Sequence, residues 1–153
     1  MKRFLLVSTV AATLACAAPA GAQNTRLTLS GFTGNMGNTT ITDFDQAFKQ
    51  SASGVTYTIR NTSSSASRTT AILIQANAAT LGNGKPVSDC SWQRNGTTTW
   101  TPLTTSPVLV ESRVNAGNNA SWNNFVLLRC SLDWATDTPA IYSVGLTFTL
   151  SVS

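Results

Sequence analysis

The chain has 153 residues, a formal net charge of +4 and no histidine, so Ser-His-Asp and Cys-His catalysis, His-ligated zinc and imidazole acid–base chemistry are removed at once. Only about a tenth of the residues are charged, and Thr, Ser and Asn carry most of the polarity, a composition suited to exported β-proteins. Lys2 and Arg3 belong to the leader, and the other basic residues are scattered along the chain, so the clustered cations of a nucleic-acid groove are missing.

The N-terminus reads as a signal peptide over 1–22. Lys2 and Arg3 precede an apolar run from Phe4 to Ala18, too short to span a membrane, and Ala20-Gly21-Ala22 is a small-x-small cleavage site. Leu14-Ala15-Cys16 resembles part of a lipoprotein box, but Thr13 stands where that box calls for Leu, which favours cleavage after Ala22. No later stretch is long and apolar enough for a transmembrane helix, and residues 23–153 read as one domain that is secreted, periplasmic or associated with the cell surface. Two cysteines remain in it, Cys90 and Cys130, and an even pair in an exported chain predicts a disulfide.

In chain order, Arg26–Ser30 alternates as a first strand, and Gly31–Asn38 reads as a Gly/Asn loop. Asp43–Gln50 fits either a short helix capped by Thr42 or Asp43 or an edge strand. Val55–Asn61 puts Val55, Tyr57 and Ile59 on one face, and Thr69–Ala76 is apolar on both, as expected of a central strand covered on two sides. Asn95-Gly96 marks a hairpin that sets Trp92 opposite Thr99, or opposite Trp100 if the loop holds one extra residue. Val108–Val114 and Trp122–Trp134 are further strands, the second bent near Cys130. From Tyr142 to Val152 every second residue is apolar, which predicts a single core strand.

Seven or eight strands with turn signals between them and at most one short helix define an all-β antiparallel β-sandwich of immunoglobulin-like, Greek-key type. A small barrel is the alternative.

Six carboxylates remain for chemistry: Asp43, Asp45, Asp89, Glu111, Asp133 and Asp137. Two of them would suffice for a glycan hydrolase. Asp43-x-Asp45 reads first as a solvated turn or helix start, and Asp133 and Asp137 as loop caps. Nothing in the sequence implies a metal or a cofactor. Trp92, Trp100, Trp122 and Trp134 are the remaining candidates, because an exposed indole stacks on sugar rings. Most tryptophans in such a fold pack in the core; Trp100, followed by Trp92, is the expected stacking residue of a carbohydrate-binding module.

The exported β-domain, the paired cysteines and Pro139-Ala140-Ile141-Tyr142 leading into an alternating strand to Val152 resemble spore coat U and fimbrial-type subunits of bacteria. That resemblance implies an immunoglobulin-like fold and assembly into surface fibres by donation of an N-terminal strand. The expected function is therefore a non-enzymatic structural or adhesive protein of the bacterial surface or periplasm, self-assembling through an edge strand or binding a surface glycan. Because Tyr142–Val152 would fill the domain's own core, that edge is expected to lie elsewhere.

Overall fold

The computed structural model describes residues 25–31, 35–61, 68–115 and 121–153; the leader, Cys16 and the cleavage site lie outside them. These residues form an all-β antiparallel sandwich. Seven strands have five or more residues: β1 (Thr25–Gly31), β4 (Val55–Asn61), β5 (Arg68–Ala76), β6 (Cys90–Arg94), β8 (Val108–Asn115), β9 (Ser121–Ser131) and β11 (Leu146–Val152). Four short segments complete the set: β2 (Asn35–Asn38), β3 (Phe48–Gln50), β7 (Thr101–Pro102) and β10 (Ile141–Ser143). The larger sheet runs β1-β4-β9-β6-β7, with β3 also on β9; the smaller runs β11-β5-β8. A separate ribbon pairs β2 with β10. The chain crosses repeatedly between the sheets, from β4 to β5, back to β6, out to β8 and back to β9.

Period-2 patterning places the core. In β4, Val55, Tyr57, Ile59 and Asn61 are buried while the residues between them are not. In β9 the even positions Trp122, Val126, Leu128 and Cys130 face inward. From the smaller sheet, Thr70, Ile72, Ile74 and Ala76 meet them. Tyr57 sits at the centre, edge-on to Trp122 and tilted against Phe148 of the opposite sheet. Cys90 and Cys130 stand directly opposite each other on β6 and β9 and are joined by the expected disulfide, which therefore staples two strands of one sheet.

Strand interruptions have local causes. β3 and β4 lie along the same side of β9 as one broken strand. Gln50 pairs with Arg129 and Val55 with Val126, so the β3–β4 side carries two extra residues. Ser51 holds that bulge: its N–H donates to the Leu128 carbonyl at 2.8 Å, and its hydroxyl accepts from the Leu128 N–H at 3.1 Å. Gly54 is required just beyond, because a Cβ there would lie 2.6 Å from the Phe125 ring.

Several expectations are revised. Both readings of 43–50 occur in sequence: a helix α1 (Ile41–Asp45) and then β3. Its cap is Thr40, which forms a capping box with Asp43, because the helix begins earlier than the phenylalanine spacing implied. Part of the Gly/Asn loop is β2. The outer face of β5 is half-exposed, not covered. In the hairpin Trp92 pairs with Thr101, not with Thr99 or Trp100. The Asn95 N–H donates to the Phe125 carbonyl, so the end of β6 stays on β9 and the return strand joins later.

The terminal pattern is also two strands. Tyr142, within β10, and Val144 are buried, the strand is interrupted at Val144-Gly145, and β11 then joins β5. The Gly145 carbonyl accepts from the Asn77 N–H, and a Cβ on Gly145 would come within 3.0 Å of the Asn77 side chain. β11 lies at the edge of the smaller sheet.

Candidate functional site

The two outer edges of the smaller sheet differ in chemistry. On β8 the ladder slips: Ile72 pairs with Glu111 and Leu73 with Leu109, leaving Val110 as a bulge. The slip turns Glu111 inward, where only 7% of it is exposed. The Tyr57 hydroxyl donates to Glu111 Oε2 at 2.7 Å, and Asn124 Nδ2 donates to the same oxygen at 3.2 Å. Arg113 and Arg94 pair with Oε1 at 2.6 and 3.1 Å, and the Arg113 guanidinium also lies 4.7 Å from the Trp122 ring centre. One carboxylate thus ties β4, β6, β8 and β9 together across the sandwich. Burial pushes the Glu111 carboxyl up, but the hydrogen bonds from Tyr57, Arg113 and Asn124 and the Arg113 charge outweigh it and hold it below the usual range. Burial and the Glu111 contact raise the Tyr57 phenol. A bulge and inward-facing charges are established ways of protecting a sheet edge against pairing.

β11 has none of these devices. Its sequence, LTFTLSV, carries no charge and no proline, and its ladder to β5 runs without a slip from Leu146–Ala76 to Val152–Thr70. Of its inward-facing residues Phe148 is buried, while Leu146, Leu150 and Val152 are only half-buried. β1 flanks this side of the sandwich from the other sheet, with Leu27 buried and Leu29 half-buried. β1 bonds to β4 and β11 to β5; among the described residues no strand pairs with the second edge of either. This side is a seam with two open backbone edges and a partly uncovered apolar lining.

The tryptophans separate cleanly. Trp92 is 5% exposed and Trp122 is also buried, so neither has a face for a sugar ring. For Trp92 this corrects the expected stacking role: even numbering on β6 turns it inward with Cys90. Trp100 is half-buried, and the Arg129 guanidinium lies 4.2 Å from its ring centre. Trp134 lies beyond the end of β9, is 56% exposed and stacks on Phe44 of α1 at 4.5 Å.

The carboxylates are distributed among structural tasks. Asp43 caps α1 and accepts from Lys49 Nζ at 2.9 Å. Burial raises its carboxyl, and the Lys49 and Thr40 hydrogen bonds more than reverse that. Asp89 and Asp137 both hold Lys85. The sequence reading missed the Glu111 cluster. The available signal was a Glu and an Arg two residues apart in a strand, which places both charges on one face.

Among the described residues no helix is long and apolar enough to cross a membrane. Comparisons with protein-family models, curated proteins and solved structures found no match. The class is thus set by the fold itself, an all-β antiparallel sandwich with one intra-sheet disulfide.

Proposed function

We propose that the protein is an exported, non-catalytic structural or adhesive subunit of the bacterial surface or periplasm, which pairs with a neighbouring copy along the seam between β1 and β11. The observation that supports this is the unprotected β11 edge: uncharged, regular, and half-uncovered on its inner face. An extended segment laid there gains main-chain hydrogen bonds from the ladder and buries alternate side chains against Leu146, Leu150 and Leu29. The sequence alone points assembly away from the terminal strand, because Tyr142–Val152 would fill the domain's own core. Its position as an edge removes the objection. A structural use of Asp43 and Glu111 is supported by their partners: Asp43 caps α1 and holds Lys49, and Glu111 is engaged by Tyr57, Asn124, Arg94 and Arg113.

The test is Leu150→Lys, which puts a charge on the inner face of β11 without touching the disulfide or the Glu111 cluster. Wild-type protein is expected to form oligomers on gel filtration and cross-linking, with β11 amides protected from hydrogen exchange on assembly. The variant is expected to melt cooperatively and remain monomeric. Oligomers that persist in the variant with unchanged β11 exchange would defeat the proposal, as would a wild-type chain that stays monomeric at every concentration.

A further inference from the structure

The outer face of the larger sheet carries a cluster built beside the disulfide. Strand alternation buries Cys130 and leaves Arg129 and Ser131 on the outer face of β9. Ser91 of β6 and Gln50 of β3 pair with Arg129 on either side, and Phe48 pairs with Ser131. Paired residues of neighbouring strands share a face, so these side chains stand together. Ala47, in the left-handed region at φ 61°, ends α1 and turns the chain so that Phe48 joins the row. The Arg129 guanidinium lies 4.2 Å from the Trp100 ring centre and 5.8 Å from that of Phe48. Contacts of this kind engage the flat face of the cation and leave its N–H edge available. Among the described residues that edge meets no carboxylate and donates no hydrogen bond, whereas Arg94 and Arg113 are both taken up by Glu111.

Arg129 also borders an open cavity of about 390 Å³, together with Gln46, Phe48, Ser88, Ser91 and Ser131. That volume falls in the range of small-ligand sites. Asp89 lies on the same border, but its carboxylate pairs with Lys85 at 3.0 Å. The Ser131 hydroxyl donates to the Asp89 carbonyl at 3.1 Å and fixes that wall. The Ser91 hydroxyl and the Gln46 amide bond to no described residue. We propose that Arg129 and this cavity bind the carboxylate-bearing ring of an acidic sugar, a uronate. The planar guanidinium matches a carboxylate through two parallel N–H···O bonds. The serine hydroxyls and the Gln46 amide receive the ring hydroxyls, and Phe48 supplies an apolar wall for its C–H groups. The Cys90–Cys130 bond lies next to the Ser91–Arg129 pair and holds it in register, so little ordering cost falls on binding.

This site shares no residue with the seam, and either can fail without the other. The experiment uses the disulfide-intact chain with trigalacturonate, a hyaluronan tetrasaccharide, the methyl ester of each, and acetate. Titration calorimetry is combined with tryptophan fluorescence. At least one acidic sugar is expected to bind and to shift the emission, with an affinity that falls as salt screens the charge pair. Its methyl ester, which differs only in the lost charge, is expected to bind at least about tenfold more weakly, and acetate to compete only at far higher concentration. Arg129→Gln is expected to weaken binding by at least about tenfold, and Arg129→Lys, which keeps the charge without the fork, to weaken it less. Thermal melts separate lost binding from lost folding, and the comparison of acid with ester is made on the wild-type chain. The proposal is overturned if neither acidic sugar binds at about 10 mM, or if the ester binds as well as its acid. It is also overturned if folded Arg129→Gln binds as well as wild type, or if acetate competes as strongly as the sugars, since the cavity would then contribute nothing.

Discussion

Glu111 is the residue on which the two sheets agree. Four side chains from three other positions in the larger sheet and from its own strand converge on one carboxylate that is almost wholly buried. Removing the charge strands Arg113 and Arg94, though both keep partial access to water, so the full cost of a buried broken pair does not apply. Glu111→Gln is therefore expected to cost about 2–3 kcal/mol in urea denaturation at neutral pH. The acid dependence follows from the same contacts. The Glu111 carboxyl is lower in the folded chain than in the unfolded one. Its contribution is present above about pH 4.3, the ordinary unfolded value, and is lost as pH falls through the folded value. Asp43 acts in the same direction. The variant should show a shallower loss of stability below about pH 4.3 than wild type; equal slopes would assign acid unfolding to other groups.

At the scale of elements, strands whose partners enforce a strict period were legible from sequence, and their interruptions were not. Val55–Asn61 was read with its correct boundaries and face because Val55, Tyr57 and Ile59 alternate without competition. The Ser51 and Val110 bulges depend on which residues the neighbouring strand offers, information that no local window holds. The change of partner at Gly145 was hidden for another reason. Apolar alternation continues through it from Tyr142 to Val152, although the two halves bury those side chains against different partners. The exposure of Trp134 was not legible because the apolar run Trp122–Trp134 reads as one strand, whereas β9 ends at Ser131. The disulfide was the easiest element to anticipate. Its 40-residue separation gives about 4 kcal/mol in the chain-entropy model. Cys90→Ala combined with Cys130→Ala should lower the unfolding free energy by about that amount, read from denaturant midpoints. A loss well under half of that would mean that the unfolded chain is already compact when the bond is open.

For the molecule as a whole, the terminal segment is expected to decide whether a native state exists. Ending the chain before Tyr142 removes Tyr142, Val144 and Phe148 from the core and opens a second edge on β5. At about 1.5–3 kcal/mol for each buried side chain, the loss rivals the net stability of an ordinary domain. The truncated protein should lack a cooperative melt and should aggregate when expressed; a soluble, cooperatively melting product would show that the larger sheet folds alone. The architecture was readable at this scale because composition, strand spacing and turn residues all point to a sandwich. Which strand lies at an edge was not readable, since period 2 reports that one face is buried and is silent about neighbours in the plane of the sheet.

The pairing of β5 with β11 also sets a timetable. Thr70 finds its partner at Val152, a loop of about eighty residues whose closure cannot begin until the far end has been made. Until then β5 has β8 alone beside it, and Ile72 and Ile74 lack the strand on their other side. A nascent chain of this design cannot complete its sandwich until Val152 has been made, so the last step of assembly waits for the whole of β11.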